Sequence, residues 1–134
     1  IIKKMSQLKR IPVKYVRDYI KKYYKYDSKC YICGKTESLE LHHLYSISEL
    51  WNIWLEKNNY QVSDYEEVIK LREIFYDEHK NLLADHNLFT LCKPHHEKLH
   101  SIYGQRYSNW RSEKVRTWIE VQKNKFGDSN GRPI

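Results

Sequence analysis

The stretch CKPHHEKLH, residues Cys92 to His100, decides how this chain is read. It puts one cysteine and three histidines into nine residues, more donor groups than one metal ion easily takes from so short a segment. Pro94 suits the first turn of a helix, and that helix carries His95, His96 and His100. On it, His96 and His100 lie about 40° apart around the axis, whereas His95 and His100 lie about 140° apart. Pairing Cys92 with His96 strands His95 and His100 on separate faces. The division that leaves no orphan assigns Cys92 with His95 to one site and His96 with His100 to another.

The partners for Cys92 and His95 stand upstream. CYICG places Cys30 and Cys33 across a tight turn with Gly34 after it, the spacing of a zinc knuckle. CxxC joined to CxxH across an intervening segment predicts a structural zinc held by Cys30, Cys33, Cys92 and His95. A redox role for CxxC fits less well, because Cys30 is not placed to open a helix in a βαβ unit. Three cysteines are a poor disulfide framework and point to a reducing, cytoplasmic compartment.

At 134 residues the chain has room for one domain of ordinary size. No apolar run approaches the roughly 20 residues needed to cross a bilayer, so no membrane partner is expected. No signal segment opens the chain, and its first residue, Ile1, reads as that of a trimmed or longer protein. The net charge of +7 is unevenly laid out. Residues 1–35 carry 11 Lys/Arg against 2 Asp/Glu, residues 36–90 carry 4 against 11, and residues 91–134 carry 9 against 4. Basic flanks around an acidic middle suit a bound polyanion, although solvated helix faces give the same pattern.

VKYVRDYIKKYYKY (13–26) has the period of an amphipathic helix, with Val13, Val16, Ile20, Tyr23 and Tyr24 inward and a lysine-arginine stripe beside them. LELHHL (39–44) alternates as a strand does. Ser46 with Glu49, and Ser63 with Glu66, form capping boxes for two further helices, with Trp51, Leu55, Val68, Leu71 and Phe75 buried. HNLFTLC (86–92) runs into a short strand. WRSEKVRTWIEVQKNKF (110–126) is a last helix with Val115, Trp118, Ile119 and Phe126 inward, and GDSNGRPI reads as a disordered tail.

LELHHL, then Asn87 in HNLFTLC, then His96 in CKPHHEKLH resemble the HNH (ββα-metal) nucleases. The two knuckles resemble the zinc-supported branch, and LHSIYG (99–104) is similar, more weakly, to its phage and intron homing members. The resemblance covers residues 30 to 100. It implies an α+β fold with a ββα-metal core: a basic N-terminal helix over 1–29, the core over 30–100 with a helical insertion at 46–80, a C-terminal helix over 101–126 and a tail over 127–134, all in one domain. It implies that His43 is the general base, that His42, His96 and His100 hold a catalytic divalent metal, and that Asn87 fixes the loop orienting His43. Imidazole, with an unperturbed pKa of about 6.5, suits a base at neutral pH. Nitrogen ligands do not choose among Mg, Mn, Ni and Zn. His95 stands where the family usually has a fourth cysteine, and the segment between His43 and Asn87 is long.

The function implied is a metal-dependent endonuclease on DNA, phage-encoded and acting in the host cytoplasm. Lys98, Arg106, Arg111 and Lys114, with Arg116, are candidates for phosphate contacts. Two alternatives stay open: a catalytically silent zinc module that binds nucleic acid, and a toxin-type DNase domain with an acidic, immunity-type protein partner.

Overall fold

The computed structural model describes residues 13–129; the expectations for 1–12 and for the tail at 130–134 lie outside the described residues. The class is α+β, with a two-stranded sheet and five α-helices among the described residues. The residues group into two compact units, each assembled from two separate chain segments.

The helical unit holds residues 13–24 and 47–84. Helix α1 (13–20) lays Val13, Val16 and Ile20 along one face. Helix α2 (Ile47–Lys57) adds Ile47, Trp51 and Trp54, and helix α3 (Tyr65–His79) adds Val68 and Phe75. The two indoles stack with centroids 5.6 Å apart, and the Phe75 ring meets both edge-on. Trp54 donates its Nε1–H to Glu78 Oε1 (3.1 Å), so the one polar atom of that buried ring is satisfied.

Two expectations are corrected here. The first helix does not run to residue 26: it tightens into a 3-10 turn at Lys21–Tyr23, and Tyr24 is extended. The turn leaves Tyr23 stacked on Tyr76 with centroids 4.5 Å apart. The cap of α3 is Asp64, not Ser63. Asp64 accepts from the Glu67 N–H (3.0 Å), and Glu67, not Glu66, reaches back to the Ser63 hydroxyl (2.8 Å). The box is real but shifted by one residue, because an aspartate in extended geometry caps as well as a serine does.

The sheet unit holds residues 25–46 and 85–129 of the described chain. Strand β1 (Leu39–His43) pairs antiparallel with β2 (Leu88–Cys92), in a register that sets Leu39 opposite Cys92 and His43 opposite Leu88. Helix α4 (Lys93–Tyr103) follows β2 directly. Its core gathers Ile32, Leu44, Phe89, Leu91 and Leu99 with Val115 and Ile119 of helix α5 (Ser112–Ser129).

The segment 101–126 is not one helix. Helix α4 ends at Tyr103, and a 3-10 turn at Asn109–Arg111 precedes α5. Asn109 ties that turn down by accepting from the Ser46 N–H (2.7 Å) and donating to the Ser46 carbonyl (3.3 Å). Ser112 Oγ donates to the Leu44 carbonyl (2.8 Å). Helix α5 continues through Gly127 to Ser129, beyond the expected end. Phe126, expected inward, is 38% exposed.

Candidate metal centres

Two groups of side chains able to hold a metal ion occur among the described residues, Cys30, Cys33, Cys92 and His95 in one and His42, His96 and His100 in the other. Both lie in the sheet unit. Within each, the ligand atoms are all within 4.8 Å of one another.

The cysteine group is built by two turns. The Gly34 N–H closes the first onto the Cys30 carbonyl (2.9 Å), and Gly34 sits at φ 77, in the region that favours glycine. The second is the passage from β2 into α4, where Cys92 is the N-cap residue and Pro94 lies in the first turn. Cys33 Sγ is 3.8 Å from Cys92 Sγ, which is 3.2 Å from His95 Nδ1. The Phe126 ring approaches His95 edge-on, with centroids 6.4 Å apart.

Burial and the closeness of the sulfurs govern the ionisation of this group. Burial pushes the Cys33 thiol up to about 11, and the neighbouring Cys30 and Cys92 sulfurs add to the rise. Burial also acts upward on Cys30, but backbone N–H groups at Cys33, Cys92 and Ile32 outweigh it and hold that thiol below its ordinary value. Burial, then Lys98 and Lys35, lowers the His95 pKa and keeps the imidazole a neutral donor. Thiols so close together ionise jointly only around positive charge.

The histidine group is fixed from outside. His42 is buried in β1, while His96 and His100 share one face of α4. His96 Nε2 lies 3.1 Å from both His42 Nδ1 and His100 Nε2. The opposite nitrogen of each ring is anchored. His96 Nδ1 meets Glu40 Oε1 (2.8 Å), and His100 Nδ1 meets the Gly104 carbonyl (3.0 Å). His42 Nε2 meets the Tyr107 hydroxyl (2.9 Å), whose own proton goes to the Leu44 carbonyl (2.8 Å).

A carbonyl and a carboxylate only accept, and the Tyr107 proton is already committed. Each outer nitrogen therefore carries the hydrogen, and each inner nitrogen presents a lone pair. The three inner nitrogens lie within 4.8 Å of one another, a donor set that could hold a metal ion. Burial holds the His42 pKa down to about 3, helped by His96, His100 and His43, so this ring stays neutral. An open cleft of about 570 Å³ reaches the group, with Glu40, Lys93, His96 and His100 among its lining.

His43 is the last residue of β1, and the chain bends directly after it. The next residue, Leu44, donates its N–H to the carbonyl of the buried Asn87 (2.9 Å). Arg116 of α5 donates to Asn87 Oδ1 and to the His86 carbonyl (2.9 Å) while its Nε–H meets Glu113 Oε1 (2.8 Å). Bonds from Arg116 and then Tyr45 hold the Glu113 carboxyl below its usual range. His79 donates to the Phe75 carbonyl within the helical unit (2.7 Å).

The basic candidates divide. Lys98, Arg106 and Lys114 are exposed. Arg111 is half-buried, donating to the Tyr103 carbonyl (3.4 Å) with its guanidinium over the Tyr103 ring. Arg116 serves Asn87 rather than solvent. Sequence reasoning missed Tyr107, Glu40 and Gly104, which orient the three histidines; a lone tyrosine, a strand glutamate and a loop glycine carry no spacing signal.

The sequence matches the nicking endonuclease family, named for phage T5, over residues 3–132, and the chain belongs to that family. Membership makes the protein an endonuclease with DNA as its substrate. No solved structure matches the chain. Among the described residues, no helix is long and apolar enough to cross a membrane.

Proposed function

We propose that this protein nicks DNA by an HNH-type mechanism, with a catalytic divalent metal on His42, His96 and His100 and a structural zinc on Cys30, Cys33, Cys92 and His95. The observation that carries the proposal is the gathering of three imidazole nitrogens within 4.8 Å of one another, each ring held by a hydrogen bond on its far side. Metal–nitrogen bonds of roughly 2.0–2.1 Å put neighbouring ligand nitrogens about 3.0 Å apart at right angles and about 3.4 Å apart in a tetrahedron. The two 3.1 Å separations fall between these values. For the cysteine group, roughly 2.3 Å zinc–sulfur bonds set tetrahedral thiolates about 3.8 Å apart. Cys33 and Cys92 match that edge at 3.8 Å.

A divalent ion held by His42, His96 and His100 would supply positive charge to the scissile phosphate and the departing oxygen. The chain's own residues supply the rest. Water adds to phosphorus as the bond to O3′ breaks; the water proton passes to His43, and the electron pair leaves on O3′. Asn87 holds the backbone beside His43 through Leu44, and Arg116 holds Asn87. One histidine centre per chain suits cutting one strand per encounter, in keeping with the family. The silent-module alternative leaves the three aimed imidazoles without a purpose.

The test is supercoiled plasmid with metal-stripped protein, adding back Mg, Mn, Ni and Zn in turn. Open circles accumulating without linear product, and lost in His43→Ala, are expected. Relaxation that survives His43→Ala, or its absence with every metal in folded protein, overturns the proposal.

A further inference from the structure

One feature of the sheet unit has no part in that chemistry. Trp110 is 75% exposed, while Trp51 and Trp54 are buried and Trp118 is half-buried. An indole left in water is an unusual surface, and this one has company. The Arg111 guanidinium and the Lys114 ammonium each lie 5.9 Å from its ring centroid. Its backbone is held rigid, because Trp110 lies in the turn that Asn109 ties to Ser46. Arg111 is itself anchored on the Tyr103 carbonyl.

The location is as informative as the exposure. Trp110 follows Tyr107 by three residues, so their Cα atoms are at most about 11 Å apart. Tyr107 touches His42 of the histidine centre. At roughly 3.4 Å per nucleotide along a strand, a phosphate at that centre has its neighbouring bases within reach of the indole.

We infer that Trp110 is a stacking platform for an unpaired base of the DNA substrate, flanked by Arg111 and Lys114 as phosphate partners. The inference rests on the nuclease function for its substrate. The occupant follows from the chemistry: two cations over a ring that is 75% exposed complement a phosphate next to a base, and an apolar protein surface would cover the Lys114 ammonium without a counter-charge. A fully stacked duplex has no base face to offer, so the platform engages a base opened near the cut.

The experiment uses the full chain in the His43→Ala background and a 12-nucleotide single strand as probe. Trp110 is the open indole, so the strand is expected to quench tryptophan emission, and Trp110→Ala to abolish that quench. Trp110→Ala should weaken binding by roughly tenfold, as loss of one base–aromatic stack does. Trp110→Phe should weaken it less, and the salt dependence should stay unchanged, whereas Lys114→Gln should flatten it. Emission unaffected by DNA, with Trp110→Ala binding like its parent, overturns the inference. Failure of the nuclease function appears elsewhere, as a wild-type protein that does not nick plasmid.

Discussion

Tyr107 accepts a hydrogen bond from His42 Nε2 at 2.9 Å and spends its own proton on the Leu44 carbonyl at 2.8 Å. That pair of bonds decides which nitrogen of His42 faces His96 and His100 as a lone pair. Burial pushes the Tyr107 phenol far up, so it stays protonated and the arrangement does not reverse near neutral pH. Tyr107→Phe keeps the ring and removes the acceptor. Metal affinity at the histidine centre should fall about 10- to 100-fold, as for other outer-shell partners of metal ligands. Competition with a metal-binding dye reads the change, and unaltered affinity would dismiss the role of the tyrosine.

Gly104 holds His100 through its carbonyl and ends α4 at φ 93. A Cβ there meets no atom within 4 Å, so conformation rather than space limits the position. Gly104→Ala should cost about 1–3 kcal/mol in strain or in a shifted carbonyl. Calorimetry should find a lower melting temperature together with weaker binding of the proposed catalytic metal. A fully native melt and native affinity would show that the left-handed turn is dispensable.

Much of this was legible beforehand because ligand spacing follows helix and knuckle geometry. Cys92 with His95 and His96 with His100 separate by angle alone, and the structure brings each set together. The rest was hidden for physical reasons. The capping residue of α3 was misplaced because Ser63 and Asp64 both offer an oxygen to the same turn. The 110–126 helix began late because Asn109, 63 residues from Ser46, fixes its entry through a tertiary bond that no local pattern encodes. Phe126 kept helical spacing but lies past the core, beside His95.

Removing one thiolate should unfold more than a binding site. Cys92 is 1% exposed and joins β2 to α4, so its loss would remove both a ligand of the proposed zinc and the strand–helix junction. Cys92→Ser should abolish the cooperative thermal transition of the sheet unit, since structural zinc contributes folding free energy directly. His100→Ala, by contrast, should melt near the wild-type temperature. A normal transition in Cys92→Ser would remove the structural role.

The metal-free protein should weaken in acid. Burial and the neighbouring imidazoles hold the His42 pKa at about 3 in the folded state, below its unfolded value. Between those values the unfolded chain binds the extra proton, so this contribution is complete above pH 6.5 and is lost as pH falls. The slope is about 1.4 kcal/mol per pH unit below roughly 6.5. Urea melts of chelator-treated protein from pH 7.5 to 5 measure it, and stability independent of pH over that range would refute it.

The division of the histidines between two ions is tested most directly by counting metal. Elemental analysis of purified protein, saturated with zinc and freed of excess, should give two ions per chain in the wild type. His96→Ala should give one, in a folded protein that no longer nicks plasmid. One ion per chain in the wild type, or a His96→Ala variant that keeps both ions and its activity, would contradict a catalytic centre separate from the structural one.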